Sequence, residues 1–222
     1  MASVAFPGEH HHAKVVLLGE GRVGKTSLLI RFVHNTFDEL TNPTVQASYF
    51  DKRIALGDAT LKLALWDTAG QERFHALGPI YYRDADAALL IFDLSDAESF
   101  AKVKHWVKEL RRMVGREIDL CIVGNKVDME RARQVDRAEA EQYAEQVGAL
   151  YGETSAKRNV GIDEIFMLLA TRVLEKKRKE LVDAGGGALG PGNAASIIVD
   201  TTPIGHARNM HSGDKPRGGS CC

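Results

Sequence analysis

The chain reads as an α/β domain built on a mostly parallel, six-stranded sheet, with one antiparallel hairpin edge and helices on both faces. Three observations predict this class. Short apolar runs at 14–18, 87–93 and 119–124 have the character of strands buried on both faces. Stretches with helical periodicity separate them, the alternation that builds a parallel sheet. Between the first two runs, Ile54 and Leu56, then Leu61, Leu63 and Leu65, alternate around a Gly57-Asp58 turn, which is a hairpin signal.

Taken in order, the first strand is Val15-Val16-Leu17-Leu18, and it runs into Gly19-Glu20-Gly21-Arg22-Val23-Gly24-Lys25-Thr26. A helical segment, Ser27 to Val33, follows. Strand, Gly-x-x-x-x-Gly-Lys-Thr, helix is the arrangement that wraps backbone N–H groups around the phosphates of a nucleoside triphosphate. Glycine permits backbone angles and a closeness of approach that a Cβ would block. The helix N-terminus adds free N–H groups and a partial positive charge. Lys25 supplies a full charge near the β- and γ-phosphates, and the Thr26 hydroxyl can ligate Mg²⁺. These residues predict a bound nucleotide.

The hairpin spans Phe50 to Asp67, and the strand 87–93 comes next. Ser95 is a plausible cap for a helix over 98–114, where Val103, Val107, Leu110 and Val114 share one face. Then come a strand at 119–124, a helix near 136–147, a strand at 149–153 and a helix over 162–181. Residues 1–12 read as a flexible start; His10-His11-His12 fits a polar leader or a tag fragment better than a metal site. The domain occupies 13–182. Beyond Val182 the composition shifts to Gly185-Gly186-Gly187, Gly190-Pro191-Gly192 and a polar stretch, so 183–222 reads as a flexible tail. Within it, Ile197-Ile198-Val199 is a docking segment or an incidental apolar spot.

Composition narrows the class further. With 29 basic and 30 acidic residues among 222, the chain lacks a global electrostatic hold on nucleic acid. No apolar run approaches the ~18–20 residues of a membrane span, and no secretory signal is evident, so an intracellular setting is expected. Three cysteines are too few for a disulfide framework. Cys121 sits in an apolar run and reads as a core residue.

Three further motifs specify the nucleotide. Asp67-Thr68-Ala69-Gly70-Gln71-Glu72 follows a strand, where Asp67 can hold a Mg²⁺-bound water, Gly70 can bring its N–H to a γ-phosphate and Gln71 can orient an attacking water. Asn125-Lys126-Val127-Asp128 follows the strand 119–124. The Asp128 carboxylate only accepts hydrogen bonds, and guanine offers two adjacent donors where adenine does not. Such a mismatch can discriminate by ~10⁴. Ser155-Ala156-Lys157 can place a backbone N–H on the guanine oxygen and Lys157 along the ring.

In this order and spacing, the four motifs resemble those of the Ras-like small GTPases, and the likeness covers about 14–180. Trp66 to Phe74 and Tyr81-Tyr82-Arg83-Asp84-Ala85 resemble the Rab branch. Gln46-Ala47-Ser48-Tyr49, Phe74 to Tyr82 and Trp106 to Arg111 are similar to the early-endosomal Rabs. The resemblance implies a P-loop NTPase G domain that is monomeric, binds GTP and GDP with Mg²⁺, and hydrolyses GTP slowly. The phosphate loop Gly19 to Gly24 with Lys25, Thr26 and Ser27 would hold phosphate. Thr44 would join Thr26 and Asp67 at the metal, Phe37 would lie near the guanine, and Lys25 and Gln71 would be the catalytic pair. Tyr49, Trp66 and Tyr81 match an aromatic triad read by effectors; ordinary sheet-face packing explains the same residues.

Gly21 leaves room for Gln71 and a water, so hydrolysis looks intact. No internal arginine finger is evident, since Arg22 and Arg73 read as solvated or structural. A GTPase-activating protein should therefore accelerate turnover on the order of 10³–10⁵-fold. An exchange factor, a dissociation inhibitor or escort protein, and effectors complete the implied partners. Losing the γ-phosphate should loosen 36–50 and 68–82. A nucleotide-locked scaffold with negligible hydrolysis is the alternative reading. At the end, Cys221-Cys222 lacks a C-a-a-X box but resembles a double geranylgeranylation site, and two lipid chains suffice for stable anchoring. The implied location is the cytosolic face of early endosomes or endocytic vesicles, exchanging with cytosol. The run Lys176-Lys177-Arg178-Lys179 reads as the cationic end of the last helix.

Overall fold

A computed structural model of the chain describes residues 8–40, 43–44, 47–68, 81–115 and 117–185. All of these fall in one unit, Met1–Gly186; the second, Gly187–Cys222, lies outside the described residues. The strands are β1 (Glu9–Leu18), β2 (Ser48–Leu56), β3 (Ala59–Asp67), β4 (Ala87–Asp93), β5 (Asp119–Asn125) and β6 (Leu150–Thr154). They form one sheet in the order β2-β3-β1-β4-β5-β6. Only the β2–β3 pair is antiparallel; β1–β3, β1–β4, β4–β5 and β5–β6 are parallel. The expected mostly parallel sheet with one hairpin edge is what the chain forms.

Alternation along the strands sorts the core into two layers. Val15 and Leu17, Leu89 and Ile91, and Cys121 and Val123 face helices α1 (Lys25–His34) and α4 (Ile162–Gly185). Phe32 of α1 stacks on Phe166 of α4 at 3.7 Å between centroids. Val16 and Leu18, Leu90 and Phe92, and Leu120 and Ile122 face α2 (Ala97–Met113) and α3 (Arg137–Gln146). Every residue of β4 is buried, because helices cover both sides and strands flank both edges.

Three local expectations need correcting. β1 begins at Glu9, so residues 9–12, read as flexible, are strand: they pair with Ala59–Lys62 of β3, and Glu9 is held by Arg178 of α4 at 2.8 Å. Backbone pairing and a distant ion pair stabilise a segment whose own side chains are polar. The cap of α2 is Asp96, one residue past Ser95; its carboxylate accepts from the N–H groups of Glu98 and Ser99 at 3.0 and 3.2 Å. Ser95 instead donates to Asp93. The last helix continues to Gly185, so its basic run is not in the final turn. There Lys177 pairs with Asp86 at 2.6 Å, while Arg178 bridges Glu9 and Asp58. Beyond these, a 3-10 helix, Val127–Ala132, for which no element was expected, follows Lys126 and carries Asp128.

Candidate functional site

β1, β5 and β6 all deliver their carboxyl ends to one rim of the sheet, and loops there enclose a cavity of about 830 Å³. The phosphate loop forms its floor. Gly19 has φ 145° and would push a Cβ to within 2.1 Å of the Ile91 carbonyl oxygen; Gly24 has φ 95° and would push one to 2.5 Å from Asn125 Nδ2. Only glycine fits at either end of the loop. Arg22 also has positive φ, and its side chain is exposed, so it is solvated as expected. Gly19 and Val23 sit behind the wall, while Glu20, Gly21, Arg22, Gly24, Lys25, Thr26 and Ser27 line it.

Lys25 is 5% exposed, and its ammonium donates to the carbonyls of Gly19 and Glu20 at 2.7 and 2.9 Å. Burial lowers its pKa to about 8, with Asp67 and Glu20 opposing the shift. Its hydrogen bonds among the described residues go to neutral carbonyls, and the two carboxylates do not offset its burial, so an anion in the cavity would complete its compensation.

Next to it, three oxygens converge from separate elements. Thr26 Oγ1 lies 2.6 Å from Thr44 Oγ1 and donates to Asp67 Oδ2 at 2.6 Å. Asp67 is fully buried, and burial raises its pKa against the pull of Thr26, Lys25 and Thr44. Its Oδ1 has no hydrogen-bond partner among the described residues. One orphaned, buried carboxylate oxygen beside two hydroxyls is a hard oxygen donor set, and it fits Mg²⁺.

At the far end, Asp128 Oδ1 accepts from Ser155 Oγ at 2.5 Å, and Ser155 is wholly buried. Asp128 itself lines the cavity with Phe37, Asn125, Lys126, Ala156 and Lys157. Asn125 is structural glue as much as wall: its Nδ2 donates to the Val23 carbonyl at 2.9 Å, and its Oδ1 accepts from Thr154 at 3.1 Å. Lys126 pairs with Asp93 at 2.6 Å. Burial alone would raise the Asp93 pKa, but Lys126 and Ser95 outweigh it and hold the carboxyl low.

The cavity thus gathers nearly all the expected binding residues that the structure describes, with Ser155 and Asp67 acting from just behind its surface. Gly70, Gln71, Cys221 and Cys222 lie outside the described residues. Tyr49, Trp66 and Tyr81 form a chain away from the cavity, with ring centroids 5.4 and 6.3 Å apart. Tyr49 is 49% exposed there. Sequence reasoning missed Asp93, Thr154 and Glu39; Glu39 closes the rim by pairing with Lys157 at 2.5 Å. No local pattern marks these three, since each acts through a partner 29 to 118 positions away. No helix among the described residues is long and apolar enough to cross a membrane.

Comparison with known proteins places this geometry in context. A model of the Ras family matches residues 14–175. The chain is 50% identical to the Ras-related protein Rab-21 of Bos taurus over 220 residues, covering 98% of this chain and 95% of that one. It is 54% identical to the Ras-related protein Rab-21 of Geodia cydonium over 163 residues, 73% and 71% of the two chains. To that of Dictyostelium discoideum it is 44% identical over 209 residues, 94% and 95%.

Proposed function

The chain belongs to the Ras family, in its Rab branch, and from that premise we propose that it is a GTP-timed switch on endocytic membranes. As a small GTPase it binds GTP and GDP; the proposal concerns timing, partners and place. The observation that carries it is the meeting of Thr26, Thr44 and Asp67. Thr44 lies on the segment between α1 and β2, and it meets the phosphate loop at Thr26 through that cluster of oxygens. Thr26, Thr44 and Asp67 would hold a Mg²⁺ there, which would supply positive charge against the phosphates. The residues then divide the work. Lys25 binds the phosphates, Asp67 holds the metal's side of the site, and Asp128 with Ser155 selects guanine. Gln71 orients the attacking water, with Gly70 reporting the γ-phosphate.

Loss of the γ-phosphate weakens the hold on Thr44 and on the segment after Asp67, so 36–50 and 68–82 loosen and effectors leave Tyr49, Trp66 and Tyr81. The G domain, whose elements run from Glu9 to Gly185, works as a monomer. Geranylgeranyl groups on Cys221 and Cys222, at the end of a flexible tail that begins after the last helix and not at 183, hold it to the membrane. The nearly balanced charge of that tail leaves anchoring to lipid and to partner proteins such as the escort and dissociation inhibitor. An exchange factor loads it and a GTPase-activating protein resets it.

Single-turnover GTP hydrolysis tests the timing. The expected result is slow unaided turnover with acceleration on the order of 10³–10⁵-fold by an activating protein. Fast unaided turnover overturns it, and so does the absence of hydrolysis with the activating protein present, which is the signature of a locked scaffold. Hydrogen exchange over 36–50 and 68–82 should differ between GTP-analogue and GDP states; equal protection removes the switch.

A further inference from the structure

Arg31, in the last turn of α1, does not line the cavity, yet it touches three parts of its base-binding end. Its Nε donates to the Ala156 carbonyl at 2.9 Å and its Nη2 to the Lys157 carbonyl at 3.4 Å. Its Nη1 donates to the Asn35 carbonyl at 2.9 Å, and the guanidinium stands 5.8 Å from the centroid of the Phe37 ring. A guanidinium is a rigid planar fork, so these contacts are fixed relative to one another. In a trans peptide the N–H and C=O point in opposite directions. Tethering the Ala156 carbonyl therefore sets the direction of the Lys157 N–H, and both residues line the cavity.

A second tether runs beside the first. Asn35 caps α1 in a left-handed conformation, φ 55°, and its Oδ1 accepts from Asn159 at 3.2 Å. Two residues on, Phe37 opens the segment that carries Glu39 and Thr44. We propose that Arg31 is a positioning residue that couples this segment to the guanine-binding loop 155–157, so that displacing Phe37 loosens the grip on the base. The link is physical: the aromatic face covers the guanidinium, and losing it lets water compete for the donors that hold the two carbonyls. The inference rests on the cavity being a guanine-nucleotide site.

Release of a fluorescent GDP, chased with excess unlabelled GDP, reads the coupling. Arg31→Met should release it on the order of tenfold faster, the scale of one charge-assisted hydrogen bond. Arg31→Lys keeps the charge but not the fork and should recover only part. Phe37→Leu also speeds release, and the double variant should fall short of the product of the two single effects, because both break one assembly. The ratio of GDP to IDP affinity should stay as in the unaltered protein, since the two share the base oxygen and Asp128 is untouched. A general collapse of the base pocket would drive that ratio toward one and would overturn the proposal. So would an Arg31→Met rate within twofold of the unaltered protein, or single effects that simply multiply. Should Arg31→Met not fold, Arg31→Lys with Phe37→Leu carries the same test, with at least threefold faster release expected. If the unaltered protein binds GDP no better than ADP, the nucleotide reading itself has failed, and this is visible before any variant is made.

Discussion

Asn125→Ala isolates a buried polar link whose energetic weight can be worked out. Asn125 is 1% exposed, Thr154 is 0% and Val23 is 1%, so no water reaches the group freely. The amide spans 2.9 Å to the Val23 carbonyl and 3.1 Å to the Thr154 hydroxyl, joining the phosphate loop to β6 through the end of β5. Removing it leaves both partners buried without a hydrogen bond. Each orphaned group costs about 1–3 kcal/mol, so the expected loss for the two is about 2–6 kcal/mol. At about 2–4 °C per kcal/mol for a domain of this size, Tm should fall by roughly 4–24 °C. Thr154→Val breaks only one of the two bonds, and its loss should be about 1–3 kcal/mol. The double variant should cost less than the sum, since the Asn125–Thr154 bond can be lost only once. Thermal unfolding followed by circular dichroism, with each variant at the same multiple of its own Kd for GDP, gives the comparison. An Asn125→Ala loss under ~1 kcal/mol, or strict additivity with Thr154→Val, would refute the reasoning.

Three further outcomes are expected. The lowered Lys25 pKa, about 8, means that from there up to the ordinary 10.5 the unfolded chain carries a proton the folded, nucleotide-free chain lacks. Stability of the nucleotide-free protein should therefore rise with pH through that window. Phosphate binding restores the charge, so GDP affinity should be flat below about pH 8 and fall by up to about tenfold per unit above it. Calorimetry near pH 9 in buffers of different ionisation enthalpy should show proton uptake that Lys25→Met abolishes; uptake unchanged in the variant contradicts the assignment. Asp128→Ala removes the acceptor for guanine's two donors, and the preference for GDP over ADP should drop by ~10³ or more in competition assays. A preserved preference would move base recognition elsewhere. Finally, a Cys221→Ser/Cys222→Ser chain should leave the membrane fraction of cells for the soluble one, and retention on membranes would reject the anchor.

What the sequence disclosed was the part whose chemistry is local. The phosphate loop was legible because Gly19 to Thr26 needs particular residues at particular spacings, and β4 because its first six buried residues, Ala87 to Phe92, leave an unbroken apolar run. β1 was legible only from Lys14 on. Its first turns of strand are polar, and what holds them is pairing to β3 and an arginine 169 positions away. The misplaced helix cap has a similar cause: Ser95 and Asp96 are both good caps, and only the pull of Asp93 on Ser95 decides between them. Arg31 gave no signal at all, because an arginine on a helix surface is ordinary until the carbonyls 125 and 126 residues away come into view.

The burial of β4 has a use beyond architecture. With a parallel strand on each edge and helices over each face, its amide protons can exchange with solvent only when the whole sheet opens. Exchange there is an internal gauge of global stability, insensitive to how the loops at the rim breathe. A ligand that binds only the folded chain slows such protons by the factor 1 + [L]/Kd. The slowest amides of β4 therefore measure nucleotide affinity from the centre of the molecule, with no label near the site.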